Sequence, residues 1–172
     1  MRIIRDRRVV DDDWIVVPGD AEELPAEGKL IVPLERWLAH RDAPAARTQG
    51  DGPLGVWLDS HEDPAALTDD LHRLALIAVN FPRFADGRGY SAAFLLRQRL
   101  GFKGELRAIG DVLRDQLFYL QRVGFNAFAV RAGNDIEEAL KALDDFSETY
   151  QASTDQPVPL FRRLSAAMAK SA

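Results

Sequence analysis

Between Phe81 and Ser91 the chain reads Phe-Pro-Arg-Phe-Ala-Asp-Gly-Arg-Gly-Tyr-Ser, so Arg83, Asp86, Arg88 and Tyr90 share one short stretch. Two guanidiniums, a carboxylate and a phenol at this spacing suit recognition of a small oxyanion, which arginine grips through charge-assisted, bidentate bonds. Gly87 and Gly89 fit that chemistry, because glycine reaches φ > 0 and can turn backbone N–H groups inward. Ser91 is placed to cap the helical pattern that follows. A glycine-rich turn between a strand and a helix start leaves N–H groups unpaired and favourable to an anion. The structural alternative is that Asp86 pairs with an arginine to brace a long loop while Tyr90 packs. The residues leave both readings open.

Gly87-Arg88-Gly89-Tyr90-Ser91-Ala92 also matches G-x-G-x-x-A, with Asp111 following at roughly the 20-residue distance of a dinucleotide fingerprint. The match is poor in context. Pro82 to Asp86 intervene between the strand and the first glycine, and Arg88 would crowd a pyrophosphate.

Other chemistries are excluded by composition. The chain has no cysteine, which removes disulfides, thiol redox chemistry and thiolate-held zinc or Fe–S clusters. His40, His61 and His72 lie far apart, so no metal site is expected, although His61 stands near Asp59, Glu62 and Asp63. A net charge of −5 argues against a nucleic-acid partner. No apolar run approaches the roughly 20 residues that span a bilayer, and the charged residues after Met1 do not read as a signal peptide. The expectation is a cytoplasmic protein with no membrane partner.

The elements that must position the loop follow from periodicity. Residues 2–10 and 14–17 are β-rich and flank Asp11-Asp12-Asp13, which predicts a hairpin with an acidic turn. With the strand at Lys29–Leu34 and a short helix around Trp37, they form a small β-rich N-terminal element over 1–53. Residues 41–53 are a Pro/Gly-marked linker. Residues 54–150 then repeat a β–α pattern. Strands are expected at Leu54–Leu58, Ile77–Phe81, Glu105–Ile109 and Ala127–Val130. Asp63-Pro64 should open a helix with Leu67, Leu71 and Leu74 on one face. Asp111 and Asp135 are expected to cap later helices, and Gly124 to stop one. Residues 151–172 form a tail with a short amphipathic helical pattern.

Four consecutive β–α units imply an α/β fold with a parallel sheet and right-handed crossovers, either an open three-layer sandwich or a half-barrel. In both, the loops leaving the strand C-termini converge on one rim. Those loops are Asp59–Asp63, the Gly-rich turn, Gly110-Asp111 and Arg131–Asn134. Asp111, Asp115, Tyr119 and Arg122 add a polar stripe to the third helix, readable as a pocket wall or as the interface of a homo-oligomer.

Taken together, the block Leu54-Gly55-Val56-Trp57-Leu58, the string Phe81–Ser91, and Gly110-Asp111-Val112-Leu113-Arg114-Asp115-Gln116 with Arg122-Val123-Gly124-Phe125 resemble a bacterial family of unknown function, DUF934. Its members are labelled as oxidoreductases of sulfite reduction. The resemblance implies an accessory role in assimilatory sulfite reduction, with sulfite reductase as the partner or a small anion as the ligand. The alternative it implies is an NAD(P)H- or flavin-dependent reductase. Without cysteines the chain cannot itself carry the Fe–S centre of that pathway. The family motif adds Arg107, Asp115 and Gln116 to Asp86, Arg88, Tyr90, Ser91 and Asp111 as candidate site positions.

Overall fold

The computed structural model of the chain describes residues 1–41 and 54–170; the predicted linker lies almost wholly outside them. Eight strands form one sheet: β1 (Arg2–Arg5), β2 (Arg8–Asp11), β3 (Trp14–Val16), β4 (Lys29–Pro33), β5 (Leu54–Leu58), β6 (Leu76–Phe81), β7 (Glu105–Gly110) and β8 (Ala127–Phe128). Their spatial order is β2-β1-β8-β7-β6-β5-β4-β3. Pairings from β3 to β8 are parallel, and β1 joins antiparallel to both β8 and β2.

This order resolves the choice between sandwich and half-barrel. From β3 to β8 every strand lies beside its successor, so right-handed crossovers all fall on one face. A doubly wound sheet needs a reversal of strand order, and none occurs here. The main core therefore lies on the outer face, where Val56, Leu58, Ile77, Val79, Leu106, Ala108 and Phe128 meet helical residues such as Ala93, Leu96, Leu117 and Leu120. The inner face is a smaller core of Ile31, Leu76, Ala78 and Ile109 beside Trp14, Trp57 and Ala129. Its residues alternate with those of the outer core, as strand periodicity requires.

The sheet is curled into a half-barrel whose margins are tied by the chain itself. β2 and β3 stand at opposite edges, yet only Asp12 and Asp13 separate them. Asp11 and Trp14 are thus at most about 11 Å apart, given 3.8 Å between successive Cα atoms. Residues 8–16 act as one run, pairing with β1 over its first half and with β4 over its second. At the corner Asp12 turns inward and takes a bidentate bond from Arg107, at 2.9 and 3.0 Å. Glu105 accepts from Arg107 Nε at 2.7 Å.

The predicted acidic hairpin turn is displaced. The β1–β2 turn is Asp6-Arg7, both at positive φ (48° and 62°), as a two-residue turn matched to strand twist demands. The segment Pro64–Arg73 also departs from expectation: it is a 3-10 helix. At three residues per turn it buries Pro64, Leu67 and Asp70, every third residue; Leu67 and Leu74 of the expected stripe still lie in the core, with Leu71 packed against it. Asp63 caps it as predicted, accepting from Ala65 N.

The α-helices among the described residues are α1 (Leu34–His40), α2 (Arg88–Phe94) continuing as a π-turn through Arg99, α3 (Leu117–Val123), α4 (Ile136–Lys141) and α5 (Leu160–Lys170). Asp135 caps α4 with bonds from Glu137 N and Glu138 N, and Gly124 ends α3 at φ 119°. No helix among the described residues is long and apolar enough to cross a membrane.

Candidate functional site

The loop leaving β6 is fixed from two neighbouring connections at the C-terminal rim of the sheet. Asp86 N closes a turn onto Arg83 O at 2.9 Å. Phe84 N donates to Asp111 Oδ2 at 3.0 Å, and Gln116 Nε2 donates to Phe84 O at 3.3 Å. Gln116 is itself pinned, its Oε1 accepting from Leu113 N at 2.9 Å. Both main-chain polar groups of Phe84 are therefore held, while the residue remains 49% exposed. Arg83 beside it is exposed.

The glycine-rich part of the loop is braced from within. Asp86 accepts from Arg88 N (3.2 Å), Nε (2.9 Å) and Nη2 (2.6 Å), and Arg88 Nη2 also donates to Ser60 Oγ at 2.9 Å. Those bonds, the Arg88 side chain first, hold the Asp86 carboxyl well below the usual carboxylate range. The Asp86 carboxylate in turn raises Arg88. Gly87 is the residue before α2 and has φ −83°. Gly89 lies inside α2 and is buried. A Cβ there would stand 2.6 Å from Phe81 Cζ, so Gly89 serves close packing. The two glycines thus do not supply the positive φ expected of an anion cradle. Ser91 is an exposed residue within α2, which already begins at Arg88, and so it is not the cap the sequence suggests. The carboxylate of Asp86 occupies the helix start that an anion would need.

Tyr90 packs edge-on against Phe81, with ring centroids 5.4 Å apart, and lies 5.2 Å from Tyr119. Burial pushes its phenol up, a shift opposed by the hydrogen bond with Gln116.

The other predicted site residues scatter. Asp111 does not cap a helix; it ties Phe84 N to Arg131, whose Nη1 reaches Oδ1 at 2.8 Å. Arg107 is 1% exposed and committed to Asp12 and Glu105, because its place in β7 faces the interior and not the rim. Of the residues expected at a homo-oligomer interface, Asp115 is exposed and Arg122 buried; Gln116, also a candidate there, is buried. Arg122 anchors the segment after α4 through Gln151 O and sits 3.7 Å from Asp155.

A scan of family models matches residues 55–161 to the one described as "Bacterial protein of unknown function (DUF934)". The chain belongs to this family. Neither the curated proteins nor the solved structures yield a match.

The DUF934 match takes in β5 to β8 and every rim loop that follows them. The convergence of these loops is visible in cross-loop bonds: Arg88 to Ser60, Phe84 to Asp111, and Asp111 to Arg131. One rim residue, Asn80, escaped the sequence reading, which places Asp59 on the rim beside His61. Asn80 donates to Asp59 Oδ1 at 3.0 Å, and Asp59 Oδ2 lies 3.5 Å from His61 Nδ1. The signal was the two-residue alternation, which puts Asn80 with Ala78, and Asp59 with Trp57, on the inner face. Among the described residues no group of three or more His, Asp or Glu side chains is arranged to hold a metal. A cleft of about 280 Å³, lined by Asp6, Arg7, Gln121, Phe125, Asn126 and Phe128, opens at the opposite end of the strands.

Proposed function

We propose that this DUF934 protein is a non-catalytic accessory of assimilatory sulfite reduction that docks on sulfite reductase through its rim loop 82–91. The observation that carries the reading is the clamping of Phe84 at both its N–H and its C=O, with the residue left half-exposed. Rigid, exposed aromatic residues make effective interface anchors because little conformational freedom is lost on binding. Arg83 adds a cation beside the anchor, suited to a carboxylate on the partner's surface. A partner surface fits this rim better than a free anion, since Asp86 already fills the start of α2. The pathway is taken from the likeness of the Phe81–Ser91 and Gly110–Gln116 strings to the family's motif.

The test is direct binding of purified sulfite reductase to the full chain at low salt. Wild type should bind, with Phe84→Ala and Arg83→Glu each weakening association at least about tenfold, the loss of a modest hot spot. Absence of binding by the wild type overturns the proposal. Stabilisation of the protein by NADPH or FMN in a melting screen would favour the reductase reading instead.

A further inference from the structure

The cleft at the foot of the strands is bounded by groups that the docking rim does not use. Phe125 and Phe128, 2% and 1% exposed, give it apolar walls, and Asp6, Arg7, Gln121 and Asn126 supply the polar ones. Its volume of about 280 Å³ suits a single heteroaromatic ring system better than a dinucleotide, since pockets for drug-sized ligands begin at about 300 Å³.

The turn that carries Asp6 and Arg7 is built against local preference. Both residues have positive φ, 48° and 62°, a region unfavourable to residues with a Cβ. Two-residue hairpin turns of this kind favour glycine at the second position, where this chain has Arg7. Arg7 gains a bond to Gln121 Oε1 at 2.7 Å and a pairing with Asp144. The ion pair is exposed, and such pairs add little to stability. The bond to Gln121 fixes an amide at the cleft wall: its oxygen faces Arg7, and Nε2 is left for another acceptor. Backbone held in such conformations gathers at ligand sites.

The carboxylate wall is set as closely. Asn126 Oδ1 accepts from Leu106 N at 2.8 Å and from Arg97 Nη2 at 3.0 Å, so its Nδ2 is the end that meets Asp6 Oδ1, at 3.0 Å. Asp6 Oδ2 keeps no hydrogen-bond partner among the described residues. Arg97 donates to neutral oxygens, those of Phe102, Gly104, Gly124 and Asn126. Burial pushes its guanidinium down, and the Asp6 carboxylate opposes that shift. Asp6 thus offsets Arg97, and Asp144 offsets Arg7. The cleft is close to neutral, with one open acceptor and one open donor beside two apolar rings.

That pattern complements adenine, which presents an amino donor beside the N7 acceptor. We propose that this cleft binds an adenine nucleoside, its amino group donating to Asp6 Oδ2, its N7 accepting from Gln121 Nε2, and its ring packing against Phe125 and Phe128. The cleft lies at the opposite end of the strands from Phe84, so it stands or falls independently of the docking proposal.

Adenosine is the probe, titrated into the full chain by calorimetry. Wild type should bind it with a Kd below about 1 mM, the range of a fragment-sized ligand. Inosine, which carries an oxygen acceptor in place of the amino group, should bind at least about tenfold more weakly. Asp6→Asn suits the same turn and, with its oxygen held by Asn126, turns a donor to the cleft. It should reverse the preference, binding inosine better than adenosine, a switch that a structural role would not produce. Arg7→Gly should weaken adenosine at least about threefold without lowering Tm, because glycine fits a φ of 62°. No saturable binding by wild type overturns the proposal, as does an adenosine preference that survives Asp6→Asn. So does an Arg7→Gly chain that melts earlier yet binds adenosine as before, which would make Arg7 a brace of the fold. Stabilisation by NADPH that is lost in Asp6→Asn would belong to this cleft.

Discussion

Asp111 receives the main-chain N–H of Phe84 on Oδ2 at 3.0 Å, joining the loop after β7 to the loop after β6 across 27 residues of sequence. Its other oxygen takes Arg131 from the loop after β8. One carboxylate therefore holds the backbone that carries the exposed Phe84. Under the proposed docking on sulfite reductase, Asp111→Ala should weaken binding less than Phe84→Ala, and mainly through slower formation of the complex, because the ring survives but loses its fixed presentation. Kinetic binding measurements separate the two. Equal effects on dissociation would mean that Asp111 contacts the partner directly.

The two glycines of the loop make opposite predictions. Gly89→Ala should destabilise the fold by about 1–3 kcal/mol, the usual range for overpacking, because the new Cβ meets the Phe81 ring. Gly87→Ala should cost less than about 1 kcal/mol, since its φ of −83° suits any residue and only a helix-cap preference is lost. Urea denaturation of both variants checks this. A loss at Gly87 as large as that at Gly89 would contradict this packing account.

Removing Asp12 strands the buried guanidinium of Arg107 with Glu105 as its remaining nearby carboxylate. Asp12→Ala should cost about 3–5 kcal/mol, as for one partner lost from a buried pair. The double variant Asp12→Ala/Arg107→Met should recover part of that, because the buried guanidinium is gone and Glu105, at the margin, keeps Arg5 at 3.7 Å. A double variant less stable than Asp12→Ala would show that the pair's packing, and not its charge, holds the seam.

Asp70 provides a pH-dependent contribution. Burial pushes its carboxyl up, but hydrogen bonds from Trp37 Nε1, Arg41 and Arg73 outweigh that and hold it below the ordinary value. A carboxyl depressed in the folded state adds stability that is fully present above its unfolded pKa, near 3.9 for aspartate. That stability is lost as pH falls through the lower folded value. Asp70→Asn should therefore be less stable than wild type at neutral pH, with the gap narrowing below about pH 4. A gap independent of pH would assign the effect to shape alone.

The legible parts of this fold were those governed by local chemistry. Asp63 before Pro64, Asp135 before an acidic helix start and Gly124 after an apolar stripe each act within a turn of their own position, and each does in the structure what its type suggests. The β–α alternation likewise gave the parallel sheet. What stayed hidden depends on residues far apart in sequence. Arg107 looks like a rim ligand until Asp12, 95 positions away, is found beside it. Asp111 looks like a helix cap until the Phe84 amide is seen to claim its carboxylate. Gly87 and Gly89 suggested torsional freedom, whereas Gly89 is small because the Phe81 ring lies against it.

The double duty of residues 8–16 bears on where this molecule can be cut. The family-matched stretch begins at Leu54's neighbour Gly55, yet β4 covers one margin of that stretch and β1 the other. A fragment trimmed to it would expose β5 and β8 as two bare borders, each a row of unsatisfied amides open to a neighbouring chain. Such a fragment should precipitate or form edge-to-edge assemblies, and co-expression with a peptide of the first 41 residues should restore it to solution.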